Sequence, residues 1–155
     1  YYFFPYRFLM AADYWVTINL TLALFMSIPA INLFTHGTHI TVAHAMGTTI
    51  GINTMIIIAA AFYFIKPTFN NSKWKRFGSI TFWVVQATLL LFLISLIGMG
   101  IHRALWQAGL ANESFSKMSS SSGNWLILFI IFGTLLFLSM GTFILYLFIK
   151  SWKKN

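Results

Sequence analysis

Four apolar runs divide the chain, over about 8–34, 38–65, 77–101 and 125–149. Each is near or above the ~20 residues that an α-helix needs to cross about 30 Å of hydrocarbon. A membrane β-barrel would alternate apolar and polar positions, and stretches such as Met55–Ile58 and Leu89–Leu93 do not. The pattern therefore predicts an all-α transmembrane helical bundle of about four spans, a single membrane domain over 1–155. The first run contains Asp13, Asn19 and Pro29, so one of its faces is expected to meet protein rather than lipid. The second opens on a polar, histidine-rich stretch and carries Gly47-Thr48-Thr49-Ile50-Gly51, a GxxxG pattern followed by Asn53 and Thr54. Small residues at that spacing let helix backbones approach closely, and Gly98, Gly100, Gly133 and Gly141 read the same way. No internal repeat is visible.

Composition hardens this picture. Hydrophobic residues make up 59% and charged residues 8% of the 155 positions, against roughly a quarter charged in soluble domains. Asp13 and Glu113 are the only acidic residues, so a water-soluble surface cannot be built. The net charge of +8 sits in short clusters at the ends of apolar runs, which points to membrane topology and a lipid bilayer rather than nucleic acid. Arg7, then Lys66, Lys73, Lys75 and Arg76, then Lys150, Lys153 and Lys154 all fall on one side of a four-span chain, and only Arg103 and Lys117 on the other. The positive-inside rule then puts both termini in the cytoplasm, with the connections at 35–39 and 110–124 outside. Trp74, Trp83, Trp106, Trp125 and Trp152 fall near the expected interfaces, as an aromatic belt would. The absence of cysteine removes disulfides, thiolate metal sites and iron–sulfur clusters. The chain begins at Tyr1 without a charged n-region or cleavage site, and it reads as a piece of a longer protein or a processed subunit.

Three of the four histidines lie within nine positions: His36, His39 and His44. The first two belong near the outer interface. His44 lies about seven residues beyond Gly37, roughly 10 Å deeper at 1.5 Å per residue, where an ionisable side chain is a functional-site candidate. It can serve as an imidazole hydrogen-bonding across a helix pair, or as a metal or haem ligand. Zinc is less attractive: His36 and His39 could share an ion, but no carboxylate or cysteine is near in sequence to complete its shell. Met46 lies two positions on, about 200° around the helix, so the two side chains point to opposite flanks. Imidazole and thioether are both haem ligands; Met46 is equally suited to apolar filling.

Together, Phe34-Thr35-His36-Gly37-Thr38 and Ala43-His44-Ala45-Met46 resemble the tenth transmembrane helix of the catalytic subunit of the haem–copper oxidase superfamily, nitric oxide reductases in particular. There an Ala-His-x-His element carries the axial ligands of a high-spin and a low-spin haem. The resemblance covers the first two spans strongly and all four by topology, as the last four helices of a twelve-helix subunit. It implies His44 as axial ligand of a high-spin haem b. Met46 stands where the family has its second histidine, and the resemblance implies a thioether ligand to the low-spin haem. It further implies a layer of haem propionates or a bound cation near His36, His39 and Arg103. Arg103 suits a carboxylate by its fork geometry, or anchors the helix at the interface.

The expected function is the C-terminal part of an oxidoreductase that converts NO to nitrous oxide in bacterial inner-membrane respiratory electron transport. Electrons would come from a cytochrome c-type or quinol donor. No catalytic residue is expected within this chain alone, and it is expected to be inactive by itself. The non-haem iron, or copper, of the dinuclear centre needs three histidines, and His102 is the only one left. The remaining helices of the subunit, or a split partner chain, must supply that site. An oxygen-reducing terminal oxidase of the same superfamily and a non-catalytic membrane scaffold subunit are the rival readings.

Overall fold

The computed structural model describes residues 3–65 and 72–152, and they form an all-α helical bundle. The elements are α1 (Phe3–Ser27), α2 (Pro29–Thr35), α3 (His39–Ile65), α4 (Ser72–Gln107), α5 (Phe115–Ser121) and α6 (Gly123–Trp152). Four of them, α1, α3, α4 and α6, are long and apolar enough to cross a membrane.

Local chemistry sets the boundaries. The apolar run expected over 8–34 is not one helix: α1 begins at Phe3 and ends at Ser27. Pro29 has no N–H to donate, and the residue before a proline is pushed out of the helical region. Ile28 accordingly turns extended (φ −71°, ψ 121°), and Pro29 opens α2 at its first position. Gly37, at φ 72°, supplies the left-handed turn into α3. There the Thr38 hydroxyl accepts from the Ile40 N–H at 3.2 Å and donates to the Thr35 carbonyl at 2.7 Å. The third run, expected over 77–101, lies within a helix extending from Ser72 to Gln107. Lysine and arginine are good helix formers that carry their charge outward, so Lys73, Lys75 and Arg76 join its first turns. The connection at 110–124 folds partly into α5, capped by the Ser114 hydroxyl accepting from Lys117 N–H.

At one end all four spans meet in a phenylalanine cluster. Phe8 of α1 packs edge-on against Phe82 of α4 and Phe143 of α6, each at 5.0 Å between ring centres. Phe62 of α3 lies 5.3 Å from Phe4 and 5.4 Å from Phe143. These edge and offset contacts suit ring quadrupoles. The start of α1 and the end of α6 therefore share this end of the bundle.

Toward the other end α4 is wedged between its neighbours by two glycines. A Cβ on Gly98 would come within 2.5 Å of the Trp125 ring of α6, and one on Gly100 would strike Ile40 of α3. Two positions apart on a helix means opposite faces, so each glycine admits a different partner. Trp125, expected near an interface, is half-buried and fills an interhelical gap. Within its span window α4 is 50% buried and α6 11%, which makes α4 the centre of the bundle and α6 its periphery.

Candidate functional site

His44 lies in the sixth position of α3, half-buried. Its Nδ1 is 3.0 Å from Oδ1 of Asn19 on α1. A carboxamide oxygen only accepts, so Nδ1 carries the hydrogen, and in the neutral imidazole Nε2 is then the nitrogen with the lone pair. The Asn19 Nδ2 donates to the Thr48 hydroxyl at 2.5 Å, and that hydroxyl donates to the His44 carbonyl at 3.2 Å. Imidazole, carboxamide and hydroxyl thus close a ring between two helices around Asn19, which is only 6% exposed. Every polar atom of the Asn19 side chain is satisfied, as burial demands.

The GxxxG pattern makes room for this arrangement. A Cβ on Gly47 would sit 2.7 Å from Asn19 Oδ1, and one on Gly51 would sit 2.8 Å from Cγ of Trp15. The two glycines of α3 therefore receive Asn19 and Trp15, which are spaced by the same four residues on α1. One layer further along, Trp15 Nε1 donates to Oε1 of Gln86 on α4 at 2.7 Å, and Gln86 Nε2 donates to the Met55 sulfur at 3.4 Å. Three helices are tied by that layer.

Between these layers α3 widens into a π-helix over Gly47–Thr54. The inward residues Ala43, Gly47, Gly51 and Met55 recur every four positions. On an α-helix each such step drifts by about 40°, or about 120° over three steps. Hydrogen bonds from i to i+5 give a wider turn, which holds this stripe against α1. Thr49 and Thr54 donate to carbonyls of their own helix, Ala45 at 3.0 Å and Thr49 at 2.8 Å, and Asn53 is exposed. Of the polar groups within and just after the GxxxG pattern, Thr48 alone bonds across helices among the described residues.

His44 suits an axial haem ligand: one ring nitrogen is held by a second residue, and the other makes no hydrogen bond among the described residues. Metal-bound histidines characteristically donate their remaining N–H in this way. Met46 is half-buried and packs against the apolar core, a setting that suits apolar filling as well as ligation. His36 is exposed at the end of α2, while His39 is half-buried with a buried Nδ1 that has no hydrogen-bond partner among the described residues. Arg103 is exposed on α4, one turn past Gly100 and therefore at the His39 end of the bundle. Among the described residues, no three of His, Asp and Glu come close enough to hold a metal ion.

The Asn19 partnership, the Trp15–Gln86–Met55 layer and the π-helix are features the sequence reading did not assign. Each left a trace there: an asparagine and a glutamine inside apolar runs, and small residues spaced by four. No family model, no curated protein and no solved structure matches the chain.

Proposed function

We propose that this chain is the C-terminal, haem-holding part of a membrane nitric oxide reductase-like subunit. The observation that carries the reading is the His44–Asn19 bond, which leaves one imidazole nitrogen free for a metal at a depth where ionisable residues are rare. His44 Nε2 would hold the high-spin haem. Asn19 fixes the ring's tautomer and orientation, and Thr48 fixes Asn19. Met46, on the opposite flank of α3, would hold the low-spin haem, and His36, His39 and Arg103 would face the propionates. When bound, a high-spin haem supplies an open iron position for a diatomic ligand. The second metal's ligands would have to come from helices beyond this chain, and the centre so completed would reduce two NO molecules to nitrous oxide and water with two electrons and two protons. Cytoplasmic termini, from the distribution of lysine and arginine, put the His39 end of the bundle on the outer side.

A second reading draws on the same geometry. The hydrogen-bonded ring of Asn19, Thr48 and His44 is complete without a metal, so His44 would tie α1 to α3 in a scaffold subunit. The optical spectrum of the purified complex separates the two. Loss of the high-spin haem signal in His44→Ala, and its retention in His102→Ala, supports the haem reading. A complex without haem, or a signal indifferent to His44→Ala, supports the scaffold. Cysteine labelling at Ser120 tests the orientation, and labelling from the cytoplasmic side would reverse it.

A further inference from the structure

Asp13 occupies the eleventh position of the 25-residue α1, about 15 Å from the start of that helix and so near the middle of a span. It is exposed. Its carboxylate makes no ion pair or hydrogen bond among the described residues, whose one ion pair, Lys117–Glu113, lies in the connection between α4 and α6. Asp13 and the buried Trp15 are two residues apart, about 200° around the helix, so the carboxylate points away from the core. Thr17 and Thr21 follow it at four-residue intervals and are exposed on the same side, each bonding the carbonyl four residues back. The outer face of α1 is thus a polar stripe with an acid at mid-span.

Hydrocarbon cannot cover such a face, because carboxylates within membrane spans face protein or water and find partners there. We infer that the Asp13–Thr17–Thr21 face of α1 is an interface to a further transmembrane helix, and that this helix presents a lysine, arginine or histidine to Asp13. A second copy of this chain does not fit. Its described lysines and arginines stand near helix ends or in a connection, His44 in the second turn of α3 is bonded to Asn19, and a symmetric contact would set Asp13 against Asp13. The inference is independent of whether His44 holds haem.

A photo-crosslinking residue at Thr17, in the protein in its native membrane, tests this, with the same residue at exposed Phe137 of α6 for comparison. The expected Thr17 adduct, identified by mass spectrometry, is a peptide from a transmembrane segment outside this chain with a basic residue in its apolar run. Phe137 should yield lipid adducts. Lipid adducts alone at Thr17, or adducts only to a second copy, would overturn the proposal. In Asp13→Asn the Thr17 adduct should fall several-fold at unchanged protein level, and an unchanged yield would refute the charge pairing. Exchanging the charges, Asp13→Lys with the partner's base changed to aspartate, should restore the yield lost in either single change; failure to restore it would also refute the pairing.

Discussion

The α1–α3 pair and the α4–α6 pair are both long and apolar enough to cross a membrane, the second pair the more apolar (mean hydropathy 1.5 and 1.8 against 2.3 and 2.4), and they are held together differently. Both pairs have rings in contact and glycines that admit a large side chain, but across α1 and α3 side chains also hydrogen-bond between the helices: Asn19 enters over Gly47 and bonds both His44 and Thr48, while Trp15 enters over Gly51. Across α4 and α6 the contact is apolar, with Trp125 entering over Gly98 and Phe92 stacked on Phe129 at 5.0 Å. The hydroxyls of Thr88, Ser95 and Ser139 there turn back to carbonyls of their own helices. In a membrane, apolar burial gives no driving force between helices, so packing and hydrogen bonds decide association. A carboxamide held by an imidazole and a hydroxyl fixes the register of α3 on α1. Register is what a ligand held by an imidazole requires.

The largest expected effect is at the glycines. Gly51→Leu should prevent α1 and α3 from closing, because its Cβ alone already meets Trp15, and overpacking costs about 1–3 kcal/mol or more. Gly141→Leu on α6, with no heavy atom within 4 Å of its Cβ, should leave stability unchanged. Steric-trap unfolding in bicelles reads both, and equal losses would mean that Gly51 does not lie in a closed contact with α1. Next comes Gln86→Leu, which leaves the Trp15 N–H without its partner and should cost about 1–3 kcal/mol. Thr134→Val, on the exposed side of α6, should stay within about 0.5 kcal/mol. The smallest effect is expected on a spectrum rather than on folding. Met46→Leu conserves volume and should cost less than about 1.5 kcal/mol. With Met46 as the low-spin ligand it changes the low-spin haem spectrum, and Met46→His lowers that haem's potential. An unchanged spectrum reduces Met46 to packing.

Much of the bundle was legible because hydropathy reports the hydrocarbon region directly. The second span, read as 38–65, is the helix His39–Ile65. The first was misplaced at both ends, since a run of apolar residues does not show that Pro29 divides it. The third was cut short because hydropathy stops where Lys75 and Arg76 begin, although lysine and arginine continue a helix well. At the site, depth and residue type drew attention to His44, and the GxxxG pattern marked close approach. The partner Asn19 lies 25 residues away, and the pairing depends on the register of two helices, which no local pattern encodes. The π-helix was hidden for a related reason: a four-residue stripe reads as ordinary helix packing until its accumulated drift is set against a neighbour.

The central claim, that His44 is a haem ligand oriented by Asn19, is tested most directly by resonance Raman spectroscopy of the reduced complex with isotopically labelled histidine. The account predicts an isotope-sensitive iron–imidazole stretch that disappears in His44→Ala. In Asn19→Leu the stretch should move to lower frequency, because loss of the hydrogen bond at Nδ1 lowers the ligand's basicity. A band that persists in His44→Ala, or a complex with no iron–imidazole band, would contradict it.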